Sequence, residues 1–370
     1  MAAAQAAVIM AITYKSTGVD ITSIKRSQGR MGRIISGTHK AQKLARVEHG
    51  FGHYAGIVSV NKPGGKNMRI ATHTDGVGTK VMVANALKRY DTVGIDCVAM
   101  NVNDVICVGA TPVSFVNYIA ASRNDESILA DIARGLAKGA RKGTVPIVGG
   151  ETAVMPGLFG GSSGKGFEFD LAGTVVGVLP PRPPEGEEEG GHTLLGDRIG
   201  PGDVIVGAYS TGLHSNGYTL AREALKGQPL ASKMSRGGPS LGDALLEPTQ
   251  IYAKPVLEII NGQGIDVHGL AHITGGSFTK LPRLKRTGFE IDSLPPMPEI
   301  MRAVMEHGRI APDEMYRTFN MGVGFCVVAP AEHAGAIRKA FSRYRIRTKE
   351  IGRITTTAKP GVTVESVRIV

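Results

Sequence analysis

Short apolar runs punctuated by glycine recur along most of the chain, and their periodicity changes from place to place. RIATHTDG (69–76), GTVPIVGG (143–150) and DLAGTVVGVLP (170–180) have the length and β-branched content of strands, separated by stretches that read as helices. DVIVGAYS (203–210) and GVGFCVVAP (322–330) predict further strands, while EPTQIYAKPVLEIING (247–262) and AEHAGAIRKAFSRY (331–344) predict helices. Between the two sets, PPRPPEGEEEGGHTLLGDRIGPGD (180–203) is rich in Pro, Gly and Glu and has no apolar periodicity, which marks an exposed linker or long loop. The expected fold class is α/β (α+β), with two mixed domains at 1–180 and 200–370 joined by 181–199. No short-period repeat is present, although both halves set glycine-rich turns after strands.

DTVGIDCVAMNVNDVICVGA (91–110) predicts the most informative helix. Ile95, Val98, Ala99, Val102, Val105 and Ile106 fall on one arc, Asp96 and Asn103 fall opposite, and Asp104 stands at the edge of the polar side. One side is expected in the core and the other against something polar. Asp96 reads equally well as a capping or solvated carboxylate. Asn103 and Asp104 point to function, because a carboxylate in so uncharged a helix is poorly compensated without a cation.

Composition narrows the class. A chain of 370 residues, 42% hydrophobic, can bury a large core and has room for about two or three domains. Its 50 glycines follow no collagen-like period, so they imply many tight turns in a compact, enzyme-like fold. Cys97, Cys107 and Cys326 form no CxxC pair and are odd in number, which signals neither a disulfide framework nor a zinc site and points to a reducing, cytoplasmic setting. The opening MAAAQAAVIMAI is too short to span a bilayer and lacks the basic residues of a leader, so no membrane association is expected.

The net charge of +11 invites a nucleic-acid reading. Residues 1–50 carry eight Lys/Arg against two acids and residues 338–370 carry nine against two, so the two ends hold all the excess. Aromatics are only 5% and Trp is absent, where stacking platforms would need them; solvated basic termini, or attraction of anionic substrates, account for the charge more simply.

THTDGVGTK (72–80) combines a carboxylate, two glycines and a lysine. Asp75 follows a strand, Gly76 and Gly78 let backbone N–H groups approach an anion, and Lys80 can reach the same phosphates as a point charge. A plain turn with a surface lysine is the alternative. The Walker pattern is absent, since Gly65-Lys66 is followed by Asn67, and GFGHYAG (50–56) resembles a dinucleotide fingerprint only loosely. Glu151 follows a glycine pair at the end of TVPIVGG, a position suited to Mg²⁺, so Asp75, Asp104 and Glu151 could converge on one metal-nucleotide site or serve singly as structural acceptors. STGLHSNGYTLAR (210–222), HGLAHITGGSFTKLPR (268–283) and MYRTFNMGVGF (315–325) gather hydroxyls, amides and glycines suited to a sugar phosphate, and His214 and His272 could move protons near neutrality. GLHSNG is no nucleophile elbow, because Leu213 stands where glycine is needed.

TYKSTGVDI, THTDGVGTK, GIDCVAMNVNDVICVGATP, IVGGETAVMPG, FDLAG, STGLHSNGYTLAR, EPTQIYAKPVLEI, HITGGSF and YRTFNMGVG occur in the order found in the phosphoribosylformylglycinamidine cyclo-ligase (AIR synthetase) family, and the resemblance runs from about residue 13 to 353. It implies ATP-dependent ring closure of formylglycinamidine ribonucleotide to aminoimidazole ribonucleotide, with release of ADP and phosphate. ATP activates the amide oxygen as a leaving group, and an amidine nitrogen then closes the ring. By the same resemblance, Asp75, Asp104 and Glu151 are the metal and nucleotide carboxylates, with Gly76, Gly78, Thr79 and Lys80 near the phosphates and Asn103 a weaker member. Ser215, Asn216, Gly275, Gly276, Thr318 and Asn320 form the substrate side, and His214, His272 and Lys80 are the catalytic candidates. Mg²⁺ is implied, a monovalent cation such as K⁺ is admitted, and a homodimer whose amino-terminal strands join in a barrel is expected.

The chain also departs from the family pattern. His53 stands where a small residue is usual, Asn101 where a cysteine or small residue is common, and the acidic 181–199 segment is longer than expected. Relatives with the same architecture, selenophosphate synthetase and thiamine-phosphate kinase, are the enzymatic alternatives, and a nucleic-acid-binding protein using the basic ends is the alternative outside enzymes.

Overall fold

The computed structural model describes residues 12–39, 45–50, 53–60, 67–159, 166–180, 193–262, 264–357 and 359–370. The first eleven residues and most of the acidic 181–199 stretch therefore lie outside the described residues. The amino-terminal half contains β1 (Ala45–His49), β2 (Gly56–Val60), β3 (Met68–Gly76), β4 (Thr111–Ala121), β5 (Ile147–Val154) and β6 (Phe169–Leu179), with helices α1 (Ile21–Ile35), α2 (Val81–Leu87), α3 (Val93–Ile106) and α4 (Glu126–Gly143). The strands form one sheet in the order β1-β2-β3-β6-β4-β5, antiparallel except for the β4–β5 pair.

The carboxy-terminal half adds β7 (Asp203–Tyr209), β8 (Gly269–His272), β9 (Gly288–Ile291), β10 (Val323–Pro330), β11 (Thr348–Thr355), β12 (Gly361–Val364) and β13 (Val367–Arg368). Its helices are α5 (Tyr218–Ala224), α6 (Leu241–Leu246), α7 (Ala253–Asn261), α8 (Glu299–Gly308), α9 (Pro312–Thr318) and α10 (Ala334–Arg343). These strands make a second sheet, β13-β12-β9-β11-β7-β10-β8. The fold is thus mixed α/β with two sheets, as expected. No described helix is long and apolar enough to cross a membrane.

Helix α3 is the centre of the molecule. It lies across β3, β6 and β4 on one side and is touched by α7 and β8 on the other, and every one of its residues is buried. Glycines allow α4 to approach it closely: a Cβ on Gly94 would lie 2.3 Å from the Leu136 nitrogen, and one on Gly135 would lie 2.3 Å from the Asp91 oxygen. The other face of the first sheet is open. Among the described residues Met68, Val116 and Tyr118 are exposed there, and the edge strand β5 also exposes Val148 and Val154.

The helix expected over 247–262 begins only at Ala253. Residues 247–252 instead run non-helically against α3, whose polar side chains take up their backbone groups: Thr249 N–H donates to Asp96 (2.7 Å), Tyr252 N–H donates to Asn103 Oδ1 (2.9 Å), and the Gln250 carbonyl accepts from Asn103 Nδ2 (2.8 Å).

Candidate active site

Strand β3 delivers Asp75 to a junction between the two halves, and Asn101 of α3 fixes it there. The Asn101 amide accepts from the Asp75 N–H (3.0 Å) and donates to the Asp75 carbonyl (3.0 Å), pairing both backbone groups as a neighbouring strand would. Asp75 Oδ1 accepts from the Gly76 N–H (2.8 Å), after which the chain turns through Gly78 in the left-handed region at φ 70°. The backbone of this turn is open beside Gly78, where a Cβ would meet nothing within 4 Å.

Asp104, eight residues beyond Asp96 on α3, faces the same junction. Its Oδ1 accepts from His272 Nδ1 at 2.6 Å, and its Oδ2 lies 3.5 Å from His73 Nε2. His73 stands two residues before Asp75, so strand alternation puts both side chains on the α3 face of β3. Lys280, at the edge of the carboxy-terminal half, hydrogen-bonds Thr274 and adds a buried cation.

Burial opposes the Asp104 charge, yet the attraction of His73 and Lys280 and the hydrogen bond from His272 hold its carboxyl well below the usual range. Asp75 goes the other way: burial, then the neighbouring Asp104 charge, push its carboxyl up. Burial lowers both His272 and Lys280, against the pull of Asp104. His272 is thus a neutral imidazole that donates from Nδ1 and accepts from Asn103 at Nε2 (3.3 Å). Two carboxylates that oppose each other's charge are thus flanked by a lysine and two histidines.

Several expected site residues have other employment. Lys80 is fully buried: its Nζ donates to Asp96 (3.0 Å) and to the carbonyls of His214 (3.0 Å) and Glu247 (2.7 Å). It braces the two halves and does not face a phosphate site. Asn103 is corrected likewise, since its amide is occupied by residues 250–252 and His272. His214 is buried in the left-handed region (φ 63°), and its Nε2 accepts from the Thr211 N–H (3.2 Å), so it is no cleft-facing proton carrier. Burial, with His272 and Lys80 nearby, keeps it neutral. His272 supports Asp104 from beneath and is fully buried, which leaves it no direct path to a substrate.

Glu151 does not join the carboxylate pair. It pairs with Tyr118, which pairs with Ala172, which pairs with Gly76, so it lies three strands from β3, about 14 Å away. It shares the open face with Tyr118, opposite Asp75. Among the described residues, no group of three His, Cys, Asp or Glu side chains is arranged to hold a metal. Thr318 and Asn320 are buried and bonded within the protein, Thr318 to Glu314 (3.2 Å) and Asn320 to Ser210 and to the Gly212 carbonyl (both 2.9 Å); Ser215 pairs with Thr249 (3.0 Å). Thr79 Oγ1 meets Thr219 at 3.2 Å. Asn216 and Gly275 do meet: a Cβ on Gly275 would come within 2.6 Å of Asn216 Oδ1, and Asn216 reaches Met100 of α3. Gly276, next to them, turns at φ 84°.

His73 and Lys280 were not singled out by sequence. His73 was legible in principle, since it precedes Asp75 by one strand period. Nothing local distinguished Lys280.

Residues 52–179 match the family model for the N-terminal domain of AIR synthase related proteins, and residues 200–365 match that for the C-terminal domain. A phosphoribosylformylglycinamidine cyclo-ligase of Thermococcus kodakarensis is 41% identical over 360 residues, covering 97% of this chain and 99% of the relative. One from Methanothermobacter thermautotrophicus is 41% identical, covering 93% and 94%. Among solved structures, thiamine-monophosphate kinase from Stenotrophomonas maltophilia superposes with a TM-score of 0.58 at 19% identity (90% of this chain, 95% of that one). The hydrogenase maturation protein HypE in complex with ATP gives 0.53 at 20% (80% and 81%), a likeness of fold.

Proposed function

Because the chain belongs to the phosphoribosylformylglycinamidine cyclo-ligase family, we propose that its site uses ATP to close formylglycinamidine ribonucleotide to 5-aminoimidazole ribonucleotide, releasing ADP and phosphate in purine biosynthesis. Relatedness at 41% identity over nearly the whole chain carries the reading of the reaction. The Asp75–Asp104 junction supports the reading of where it happens.

The open turn at Gly76–Thr79 is the seat for the ATP phosphates, reached by backbone N–H groups. Asp75 and Asp104 would hold Mg²⁺, whose preference for a few carboxylates with water and phosphate oxygens suits a pair that is strained without a cation; bound there, it would offset charge on the transferring phosphoryl group. Asn216, Gly275 and Gly276 form the side that takes the ribonucleotide. Ring closure requires the amidine nitrogen to lose a proton. The His73 ring, partly exposed and with its buried Nε2 turned to Asp104 Oδ2 at 3.5 Å, is the acceptor, and the Asp104 carboxylate stabilises the resulting charge.

The same reading includes a homodimer. The open face of the first sheet exposes Tyr118 (41%) and Val116 (38%) on β4 and Met68 (48%) at the start of β3, a face that a partner sheet would cover. Three free, buried cysteines suit a reducing compartment, and we place the enzyme in the cytoplasm.

The test is incubation with Mg-ATP and formylglycinamidine ribonucleotide while aminoimidazole ribonucleotide and phosphate are followed together. Equal appearance of both, dependent on both substrates, is expected. A folded, ATP-binding protein that makes neither would redirect the assignment, with selenide and thiamine phosphate the next acceptors to try.

A further inference from the structure

The basic excess of residues 338–370 is not spread evenly over its six arginines. Three of them are held by the protein: Arg343 by Glu258, Arg353 by Glu290 and Asp292 (both 2.9 Å), and Arg368 by the Lys359 and Pro360 carbonyls (3.3 and 3.1 Å). The other three, Arg338, Arg345 and Arg347, have no ion pair and no side-chain hydrogen bond among the described residues. These three line one cavity of about 380 Å³, set between the last turns of α10, the end of β7 and the start of β11. Among the described residues, no carboxylate lines it.

The backbone fixes two of the three. Arg345 closes α10 in the left-handed region at φ 59°, its N–H donating to the Ser342 carbonyl (2.9 Å), so a position that favours glycine carries a guanidinium instead. Strand pairing sets Arg347, whose carbonyl accepts from the Tyr209 N–H (2.9 Å) and whose guanidinium lies 4.8 Å from the centre of the Tyr209 ring. The Thr348 hydroxyl, also in the lining, has no hydrogen bond among the described residues and can donate beside them. Like charges gathered on one cavity repel, and an anion relieves that repulsion. Each planar guanidinium presents a fork matched to two phosphate oxygens, so three forks offer more paired donors than one phosphate can satisfy. The Tyr209 ring is already covered by Arg347, which leaves no aromatic platform in the lining for a nucleobase or a nucleic-acid strand.

We infer that this cavity is a second anion site, on the carboxy-terminal half, which takes a di- or triphosphate group between Arg338, Arg345 and Arg347. The phosphates can be inorganic or the tail of a nucleotide, since the lining reads only the phosphates. Its volume is that of a small-molecule site, and the site stands apart from the Gly76–Thr79 turn and does not depend on the ligase reading.

The test treats the full chain with phenylglyoxal, which modifies arginine, at physiological ionic strength with and without tripolyphosphate, and maps the modified peptides by mass spectrometry. Tripolyphosphate should slow modification of Arg338, Arg345 and Arg347 about tenfold and leave Arg353 and Arg368 unchanged. Protection confined to other arginines, no protection, or equal protection by orthophosphate at the same phosphorus concentration would overturn the site. Stronger protection by short single-stranded RNA at that concentration would make the pocket part of a nucleic-acid surface and overturn the small-molecule assignment. ATP in place of tripolyphosphate separates the sources: equal protection assigns the tail of a nucleotide, none assigns free polyphosphate, and either result keeps the site. A paired Arg345→Gln, Arg347→Gln variant gives a second readout by calorimetry. One tripolyphosphate site per chain should weaken about 100-fold, about tenfold for each guanidinium removed, while the urea midpoint stays in place. An unchanged isotherm would remove the assignment.

Discussion

Asp96 and Asp104 are carboxylates of the same helix, eight residues apart and both buried, yet their surroundings differ in kind. Asp96 is engaged by the protein itself: its Oδ1 accepts from Lys80 Nζ and from the Thr249 backbone and hydroxyl, and Lys80 also lies 2.9 Å from Oδ2. Asp104 is held from behind by His272, but ahead of it stand His73 at 3.5 Å and the strained carboxylate of Asp75. Residue type and burial do not separate a brace from a reactive group here. The neighbours do: a fully buried lysine and a docked backbone segment enclose Asp96, whereas a partly exposed histidine and a second carboxylate stand before Asp104.

The sharpest test of that contrast is Lys80→Met. Removing the cation leaves Asp96 buried without its partner, so unfolding free energy should drop by about 3–5 kcal/mol in urea titration. A loss below about 1 kcal/mol would mean that Lys80 is free to serve elsewhere and would break the comparison. Asp104→Asn should do the opposite: kcat falls about 100-fold, as for loss of one charge-stabilising group, while the urea midpoint moves far less than with Lys80→Met. Near-normal turnover would take Asp104 out of the site.

Asn101→Ala lies between the two. It strips the Asp75 N–H and carbonyl of their amide partner, so a stability loss of about 1–3 kcal/mol should accompany a drop in kcat, with the KM for the ribonucleotide held. A stability loss with intact kcat would make the clamp purely architectural. The smallest effect concerns His53, which burial pushes down to about 4 from 6.5. The unfolded chain takes up this proton first, so the His53 contribution is complete above pH 6.5 and is lost as pH falls toward 4. His214 and His272 are shifted in the same direction. Urea midpoints at pH 7.5, 6 and 4.5 should therefore decline less steeply in His53→Gln; an identical slope would assign the decline to the other histidines.

The strands were legible because period-2 alternation and β-branched runs survive in single sequences, as at 69–76 and 170–180. The two faces of α3 were legible only as a polar and an apolar stripe. What the polar stripe meets comes from more than 140 residues away, and no local signal announces that Thr249 and Tyr252 will dock on Asp96 and Asn103. The same long-range demand holds 247–252 non-helical although its pattern suits a helix. Asp75 and Asp104 were found because a carboxylate at a strand end and one in an uncharged helix each call for compensation. Glu151 was misplaced because Gly149 and Gly150 erase the alternation that would have told one face of β5 from the other.

Every native thiol is sealed inside. Cys97, Cys107 and Cys326 are buried and free, and burial pushes each thiol up, away from the reactive thiolate. The folded chain should therefore be silent toward maleimides, and a single cysteine introduced on the exposed rim of the cleft would be its one reactive handle. A fluorescent or spin probe that reports its local surroundings during turnover can thus be attached at one chosen place on an otherwise unaltered enzyme.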